Sequence, residues 1–353
     1  MTIGIGVVGV GDVAQRDYLP EFRRLGTAAR LVSVSSLSGE RARTAAEAYA
    51  IPSWTTDYRE VLSNPDVDAV LNLTPIPVHE EVTRAALVAG KHVYSEKPIA
   101  ASAAAARALS AEAVERGLVL ITAPSILLFP QVERAARLLH DGLVGRVTSA
   151  YAYVSGGIPP WAGYQSDPTP FFAKGAGPLV DMAVYPLHAL TGLLGDVTRV
   201  GAMSSRSRDS FVVDDGPYAG LSVPIEVDDT WVLLLEFASG AIACVEANFS
   251  AAATLGPELQ IRGDAGVIGL SLLDVSAPIV RADGEKTVDE QTPHEREGGG
   301  PDHLLGVAHL LDCITSKAAS RLSASRAAHV LDVIAAAQAS AQARRQVDVP
   351  PSA

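Results

Sequence analysis

Cysteine is nearly absent: Cys244 and Cys313 are the only two in 353 residues. They stand far apart in apolar surroundings. That excludes a CxxC site and a disulfide framework, and it suits a reducing cytoplasm. Positive charge is also short, with 28 Lys and Arg against 40 Asp and Glu, a net charge of −12. No Lys/Arg cluster forms the basic face that a nucleic-acid partner needs, and Arg344-Arg345 reads as the polar end of a last helix. No apolar run reaches the ~20 residues of a membrane span. The N-terminus carries no basic n-region; Thr2–Val10 is apolar but reads as a strand, not a signal peptide. Core-forming residues are plentiful: 48% of the chain is hydrophobic and 19% charged. The chain is therefore globular rather than disordered, and its length suggests two domains.

Strand-like runs alternate with helical stretches over residues 1–123. Ile3–Val8 is apolar throughout, as in a strand buried on both faces. Gly9-Val10-Gly11-Asp12-Val13-Ala14 follows, a G-x-G-x-x-A pattern ahead of a helix expected over Val13–Leu25. Such glycines permit a tight turn and let the backbone approach a pyrophosphate at a helix N-terminus. The second strand, Arg30–Ser35, runs into Ser36. NAD-preferring folds place Asp or Glu there to bond the ribose hydroxyls. Ser36 offers no carboxylate to repel a 2′-phosphate, and Arg41 and Arg43 follow on the next helix, so the cofactor leans from NAD to NADP. Leu37 stands where an arginine would complete that pattern.

Further strands are expected at Ile51–Thr56, Val67–Leu73 and Gly117–Ala123. The run Val67–Leu73 ends in Thr74-Pro75, placed to flank a cofactor; His79 opens the following helix, where a histidine is either a structural helix-end residue or a further cofactor-binding candidate. Lys91–Pro98, KHVYSEKP, is the fifth strand, and its C-terminal end carries Glu96 and Lys97 ahead of Pro98. Open parallel sheets bind ligands at the carboxyl ends of their strands, so both side chains join the cofactor-binding candidates. The alternation predicts an α/β chain that begins with a doubly wound parallel sheet.

After Gly145 the pattern changes. Val147–Val154, Arg199–Ser204, Val227–Phe237, Ala241–Phe249, Pro257–Arg262, Val267–Leu272 and Ala277–Arg281 are strand-like and follow one another with few helices between. That predicts a large, mostly antiparallel open sheet. One helix is expected at Gly177–Leu194, and two more, Asp302–Lys317 and Ser325–Arg345, close the chain. Asp283–Asp302 is polar and glycine-rich, a loop or lid candidate. The expected division is 1–123 for dinucleotide binding and 124–353 for substrate binding and oligomerisation. Trp161, Tyr164, Phe171 and Phe172 cluster in a proline-rich segment. Trp161 and Tyr164 are candidate pocket walls for the C–H faces of a sugar or cyclitol, whereas Phe171-Phe172 reads as core. No Asp/His cluster has metal-ligand spacing, and His303 and His309 read as helix-face residues.

These motifs together resemble the Gfo/Idh/MocA family of NAD(P)-dependent oxidoreductases. The resemblance rests on Gly9–Ala14, Thr74-Pro75 with His79, and Ala89–Pro98 ending in Glu-Lys-Pro. It also rests on Gly175–His188, GAGPLVDMAVYPLH, which looks like the family's glycine-rich helix carrying an Asp and a downstream acid/base. It implies a Rossmann domain, then an α/β domain whose open sheet often packs face to face in dimers or tetramers. Many members carry His four residues after that Asp; this chain has Tyr185, as members resembling glucose–fructose oxidoreductase and dihydrodiol dehydrogenase do.

Hydride transfer at a carbinol needs a nicotinamide held against the substrate carbon and one group to exchange the hydroxyl proton. Asp181, Tyr185 and His188 are spaced i, i+4, i+7, one face of an uninterrupted helix. A cation near a phenol stabilises the phenolate. Tyr185 is therefore expected to exchange the proton, Lys97 to tune it and polarise the substrate oxygen, and Asp181 to orient the substrate; Lys97 as direct base is the close variant. His188 is a further substrate-side candidate. The expected reaction interconverts CH–OH and C=O on a sugar, cyclitol or related polyol. Competing readings are a non-catalytic dinucleotide-binding sensor, a reductase of C=N bonds, and a methyltransferase suggested by the glycine loop alone. The intact Glu-Lys-Pro and the Asp181/Tyr185 pair weigh against all but the second.

Overall fold

A computed structural model of the chain describes residues 2–284, 286–289 and 300–352. The chain forms two compact units, Met1–Ser125 with Asp302–Ala328, and Ile126–Pro301 with His329–Ala353. The polar stretch expected as a lid, Asp283–Asp302, falls largely outside the described residues.

The first unit is built on six strands: β1 Ile3–Val8, β2 Ala29–Ser35, β3 Ser53–Thr55, β4 Ala69–Asn72, β5 His92–Ser95 and β6 Leu120–Thr122. They lie in the order β3-β2-β1-β4-β5-β6, and every pairing is parallel. All six residues of β1 and all four of β4 are buried, which is why both read as continuous apolar runs. Helices α1 Gly39–Ala48, α2 Tyr58–Ser63, α3 His79–Val88 and α4 Ala103–Glu115 connect the strands. Local chemistry sets their starts. Ser38, Asp57 and Ser102 each accept a first-turn backbone N–H with the side chain, which fixes the first residues of α1, α2 and α4. The strand order reverses direction between β1 and β4, and the crevice beyond their carboxyl ends is where such sheets take a ligand.

The helix expected over Val13–Leu25 is interrupted. Ala14–Tyr18 is a π-helical turn and Phe22–Ala28 a 3₁₀ stretch with Gly26 out of helical geometry. Pro20 is the physical reason, since it has no N–H to continue the ladder and its ring clashes with the preceding turn.

Residues 302–328 join the first unit, whereas the division at 123 would place them in the second. Helix α8, Leu304–Ser316, packs on β5 and β6, and Ile121 of β6 bridges to Ser323 beyond the helix. Gly306 permits this packing, because a Cβ there would come 2.5 Å from both Ser125 Oγ and a Tyr94 ring carbon. The Asp302 carboxylate, 1% exposed, pairs with Arg24 at 2.6 Å.

In the second unit, after α5 Pro130–His140, a nine-stranded sheet dominates. Its strands are β7 Val147–Ser155, β8 Val197–Ser205, β11 Thr230–Phe237, β12 Ile242–Asn248, β13 Leu259–Gly263, β14 Val267–Leu270, β15 Ile279–Ala282, β16 Lys286–Asp289 and β17 Val347–Asp348. Strands β7 and β12 pair in parallel and the other pairings are antiparallel. A separate hairpin, β9 Ser210–Val212 with β10 Ser222–Pro224, was not expected from the sequence. Alternation along β11 buries Leu233, Leu235 and Phe237 and leaves Val232 and Leu234 exposed. The buried face meets helices α6 Pro178–Asp181 and α7 Val184–Leu194. Helix α9, Ala324–Ala343, has its first residues in the first unit and the remainder in the second.

Candidate active site

The carboxyl ends of β1, β4 and β5 collect most of the residues singled out in the first unit. The turn after β1 depends on Gly9. Its φ is +98°, and a Cβ there would lie 2.5 Å from the Leu73 carbonyl oxygen and 2.8 Å from Thr74 N, at the end of β4. Only glycine allows β1 and β4 to close at this point. Gly11 is different: a Cβ there would meet nothing within 4 Å, so packing within the chain does not require glycine. The segment then turns helical, with Gln15 N–H bonded to the Gly11 carbonyl at 3.1 Å and Gln15 Nε2 to the Val10 carbonyl at 3.2 Å. Asp12 and Val13 open this turn, and Ala14 is fully buried beneath it.

At the end of β4, Asn72 is 0% exposed and acts as a hub. Its Nδ2 donates to the His79 carbonyl at 2.9 Å and to Thr83 Oγ1 at 3.0 Å. Its Oδ1 accepts the Thr74 hydroxyl at 2.6 Å. The His79 ring, 1% exposed, places Nδ1 2.8 Å from the Pro98 carbonyl oxygen and Nε2 2.6 Å from the Thr74 carbonyl oxygen. Both nitrogens are thus engaged by the protein itself. Pro75 is exposed beside them.

The end of β5 is fixed by a buried hydroxyl network. Glu96, 8% exposed, accepts the Tyr18 hydroxyl at 2.5 Å through Oε1 and the Lys97 N–H at 2.9 Å through Oε2. The Tyr18 and Tyr94 hydroxyls are 3.1 Å apart; Tyr94 continues to Ser125 Oγ at 3.1 Å, and Ser125 donates to the His303 carbonyl at 3.1 Å. Burial, then the Glu96 carboxylate, pushes the Tyr18 phenol well above its ordinary pKa, so Tyr18 stays a donor. A hydrogen bond to an ionised carboxylate contributes about 1.5–3 kcal/mol. The Lys97–Pro98 peptide is cis, and Lys97 is half-buried. Tyr18, Tyr94, Ser125 and His303 escaped sequence reasoning because their partnership joins segments far apart in the chain. Asn72 left a visible signal, a polar residue ending an otherwise apolar strand.

At the end of β2, Ser36 Oγ accepts Ser38 N–H at 3.3 Å. Leu37 projects into solvent, 98% exposed, and Arg41 is exposed on the first turn of α1.

In the second unit, the single helix expected at Gly177–Leu194 is two. Ala183 N–H reaches back five residues to the Pro178 carbonyl at 2.9 Å, and Tyr185 N–H reaches three to Met182 at 3.1 Å. Pro186 removes the N–H that would have bonded Met182 in a continuous ladder. Asp181 therefore ends α6 while Tyr185 and His188 lie on α7, and the three do not share one helix face as expected. Asp181 and Tyr185 are half-buried; His188 is 5% exposed. Trp161 and Tyr164 flank Phe171, with ring centroids 5.3 and 5.4 Å from it, and all three are partly exposed. Phe172 is core, 1% exposed. His309 accepts the Arg321 N–H at 3.0 Å and so anchors the turn after α8. Among the described residues, no group of three or more His, Cys, Asp or Glu is placed to hold a metal ion.

Six parallel strands in this order, with a glycine turn at the switch point, define a Rossmann-type dinucleotide-binding scaffold. The chain belongs to the GFO/IDH/MocA oxidoreductases: the family's NAD-binding Rossmann fold matches residues 3–123 and its C-terminal domain matches residues 132–269. It is 35% identical to a dTDP-3,4-didehydro-2,6-dideoxy-alpha-D-glucose 3-reductase of Actinomadura kijaniata, over 61% of this chain and 63% of that protein. It is 27% identical to the levoglucosan dehydrogenase of Pseudarthrobacter phenanthrenivorans, over 62% of this chain and 58% of the relative. The chain thus spans about three fifths of the length of these relatives. A solved structure of levoglucosan dehydrogenase with NADH and levoglucosan shares the fold, with a TM-score of 0.85, 22% identity, and coverage of 99% of this chain and 100% of that one.

Proposed function

We propose that the protein transfers a hydride between NAD(P) and a CH–OH/C=O group of a sugar, cyclitol or related polyol. The observation that carries this reading is the carboxyl edge of the parallel sheet. There the Gly9 turn, the Thr74 loop and the Glu96-Lys97 end of β5 sit on three adjacent strands. Gly9 is explained by the closure of β1 on β4; Gly11 is not, and close approach of a pyrophosphate explains it. The relatives' names, a keto-sugar reductase and a sugar dehydrogenase, agree with the substrate class.

The bound nicotinamide supplies the hydride acceptor or donor. This chain's residues hold and orient the reactants and move the proton. In the oxidative direction the C–H bond breaks with its electron pair leaving as hydride, the C=O bond forms, and the hydroxyl proton passes to Tyr185. Lys97 polarises the substrate oxygen and favours the phenolate, and Asp181 orients the substrate. Trp161 and Tyr164 offer aromatic faces to the C–H faces of the ring. NADP is the proposed cofactor. Ser36 stands where NAD-preferring folds carry a carboxylate, and the exposed Arg41 on the first turn of α1 supplies a positive charge suited to a 2′-phosphate.

The partner is a second copy of the chain. The sheet face away from α6 and α7 exposes Met203 at 80%, Leu234 at 60% and Ile242 at 59%, an apolar surface of the kind that associates. A cytoplasmic setting suits the two free thiols, Cys244 and Cys313.

The test is spectrophotometric: NADP+ and NAD+ are offered with a panel of sugars, cyclitols and diols, and reduced nicotinamide is followed. Turnover on a polyol supports the reading. Tight cofactor binding with no turnover across the panel contradicts it.

A further inference from the structure

Neutral imidazole has one N–H and one lone pair, whereas a carbonyl oxygen only accepts. The His79 ring faces two carbonyl oxygens, Pro98 at 2.8 Å and Thr74 at 2.6 Å, and is 1% exposed, so no water separates the pairs. Turning the ring over would set carbons at these places. Carbon–oxygen contacts run at about 3.3–3.6 Å, so both contacts require nitrogen. With a single ring proton, one pair would press lone pair against lone pair.

We propose that His79 is a doubly protonated staple and a positioning residue, tying the chain after β4 to the chain after β5. Asn72 and Thr83 hold the His79 backbone from below, which fixes where the ring starts. The ring then holds the Pro98 carbonyl, one residue beyond Lys97. On the other side of Lys97, the Glu96 carboxylate binds the Lys97 N–H and is itself held by Tyr18. The main chain is thus clamped before and after Lys97, and the long side chain departs from a fixed origin. His79 touches neither substrate nor cofactor in this role. The role in turnover rests on the proposed action of Lys97; the protonation state does not.

Two variants separate the two bonds. His79→Asn sets an amide nitrogen near the place of Nδ1 and keeps the Pro98 bond; His79→Gln sets one near Nε2 and keeps the Thr74 bond. Misplacement of a reacting group by about 1 Å lowers turnover by on the order of 100-fold. At saturating cofactor, His79→Gln is expected to lower kcat by about 10- to 100-fold, with substrate KM little changed. His79→Asn is expected to retain kcat within about threefold. Equal loss in both, or no loss in either, overturns the positioning role. The charge state is read separately on the unmutated apo-protein at neutral pH, by 15N resonances of histidine-labelled protein. The ring is identified by the resonances that His79→Gln removes or, if that variant does not fold, by those that His79→Asn removes. Two protonated nitrogens are expected; one unprotonated nitrogen overturns the staple. If instead Lys97→Ala keeps normal turnover, the reading of Lys97 fails while the ring spectrum stands.

Discussion

Gly9 and Gly11 belong to one motif, yet replacing each by alanine should break a different thing. At Gly9 the added Cβ meets the Leu73 carbonyl oxygen at 2.5 Å and its carbon at 2.6 Å, both backbone, with φ at +98°. A left-handed conformation costs a residue with a Cβ about 1–2 kcal/mol, and forced overpacking a further ~1–3 kcal/mol. Gly9→Ala should therefore lose about 2–5 kcal/mol, a large part of the ~5–15 kcal/mol of a typical domain. Gly11→Ala adds its Cβ to open space, so stability should stay within about 1 kcal/mol of the parent, even rising slightly through the unfolded chain. At the proposed cofactor site its methyl would stand in the approach to the pyrophosphate, and NADPH affinity should fall at least about tenfold, or ~1.4 kcal/mol. Urea unfolding of the apo-protein and fluorescence titration with NADPH measure the two quantities. A folded Gly11→Ala protein that binds NADPH like the parent refutes the assignment of the glycine turn.

Stability should fall on mild acidification. Burial lowers the pKa of His92, only partly offset by Asp68, and burial with Arg321 lowers that of His309. Each neutral ring accepts a backbone N–H, from Val119 and Arg321 respectively, which the protonated ring does not do. With folded values below the unfolded one, the unfolded chain binds more protons, so this contribution is present above about pH 6.5 and is lost as pH falls from there toward the folded values. Thermal melts across that range should show the drop, and His92→Gln should reduce it. For the open sheet face, Leu234→Glu should shift the sedimentation coefficient to that of a monomer while leaving the melting temperature of the chain nearly unchanged; an unaltered assembly contradicts the proposed interface.

Much of the first unit was legible because parallel strands buried on both faces leave short apolar runs, and their turns leave glycine or Thr-Pro signals. Ile3–Val8 and the Glu-Lys-Pro end of β5 are examples. Misreadings cluster at prolines. Pro20 and Pro186 sit inside stretches whose apolar periodicity continues past them, and periodicity outweighed the missing N–H. At Pro186 the consequence reached the candidate site, since it separates Asp181 from the helix of Tyr185. The buried network Glu96–Tyr18–Tyr94–Ser125 was invisible for another reason. Its members are ordinary residues locally, and only the fold brings residues 18, 94, 96 and 125 together. The return of residues 302–328 to the first unit was hidden likewise, because an amphipathic helix does not announce which sheet edge it covers.

In the proposed reaction Lys97 and Tyr185 carry the proton chemistry that accompanies hydride transfer. Pre-steady-state turnover of Lys97→Ala and Tyr185→Phe, at saturating cofactor and with a substrate the parent oxidises, tests it most directly. Both variants are expected to fold and still bind NADPH but to lose kcat by about 100-fold or more, as removal of a positioned acid/base does. Near-normal kcat in both variants contradicts this assignment.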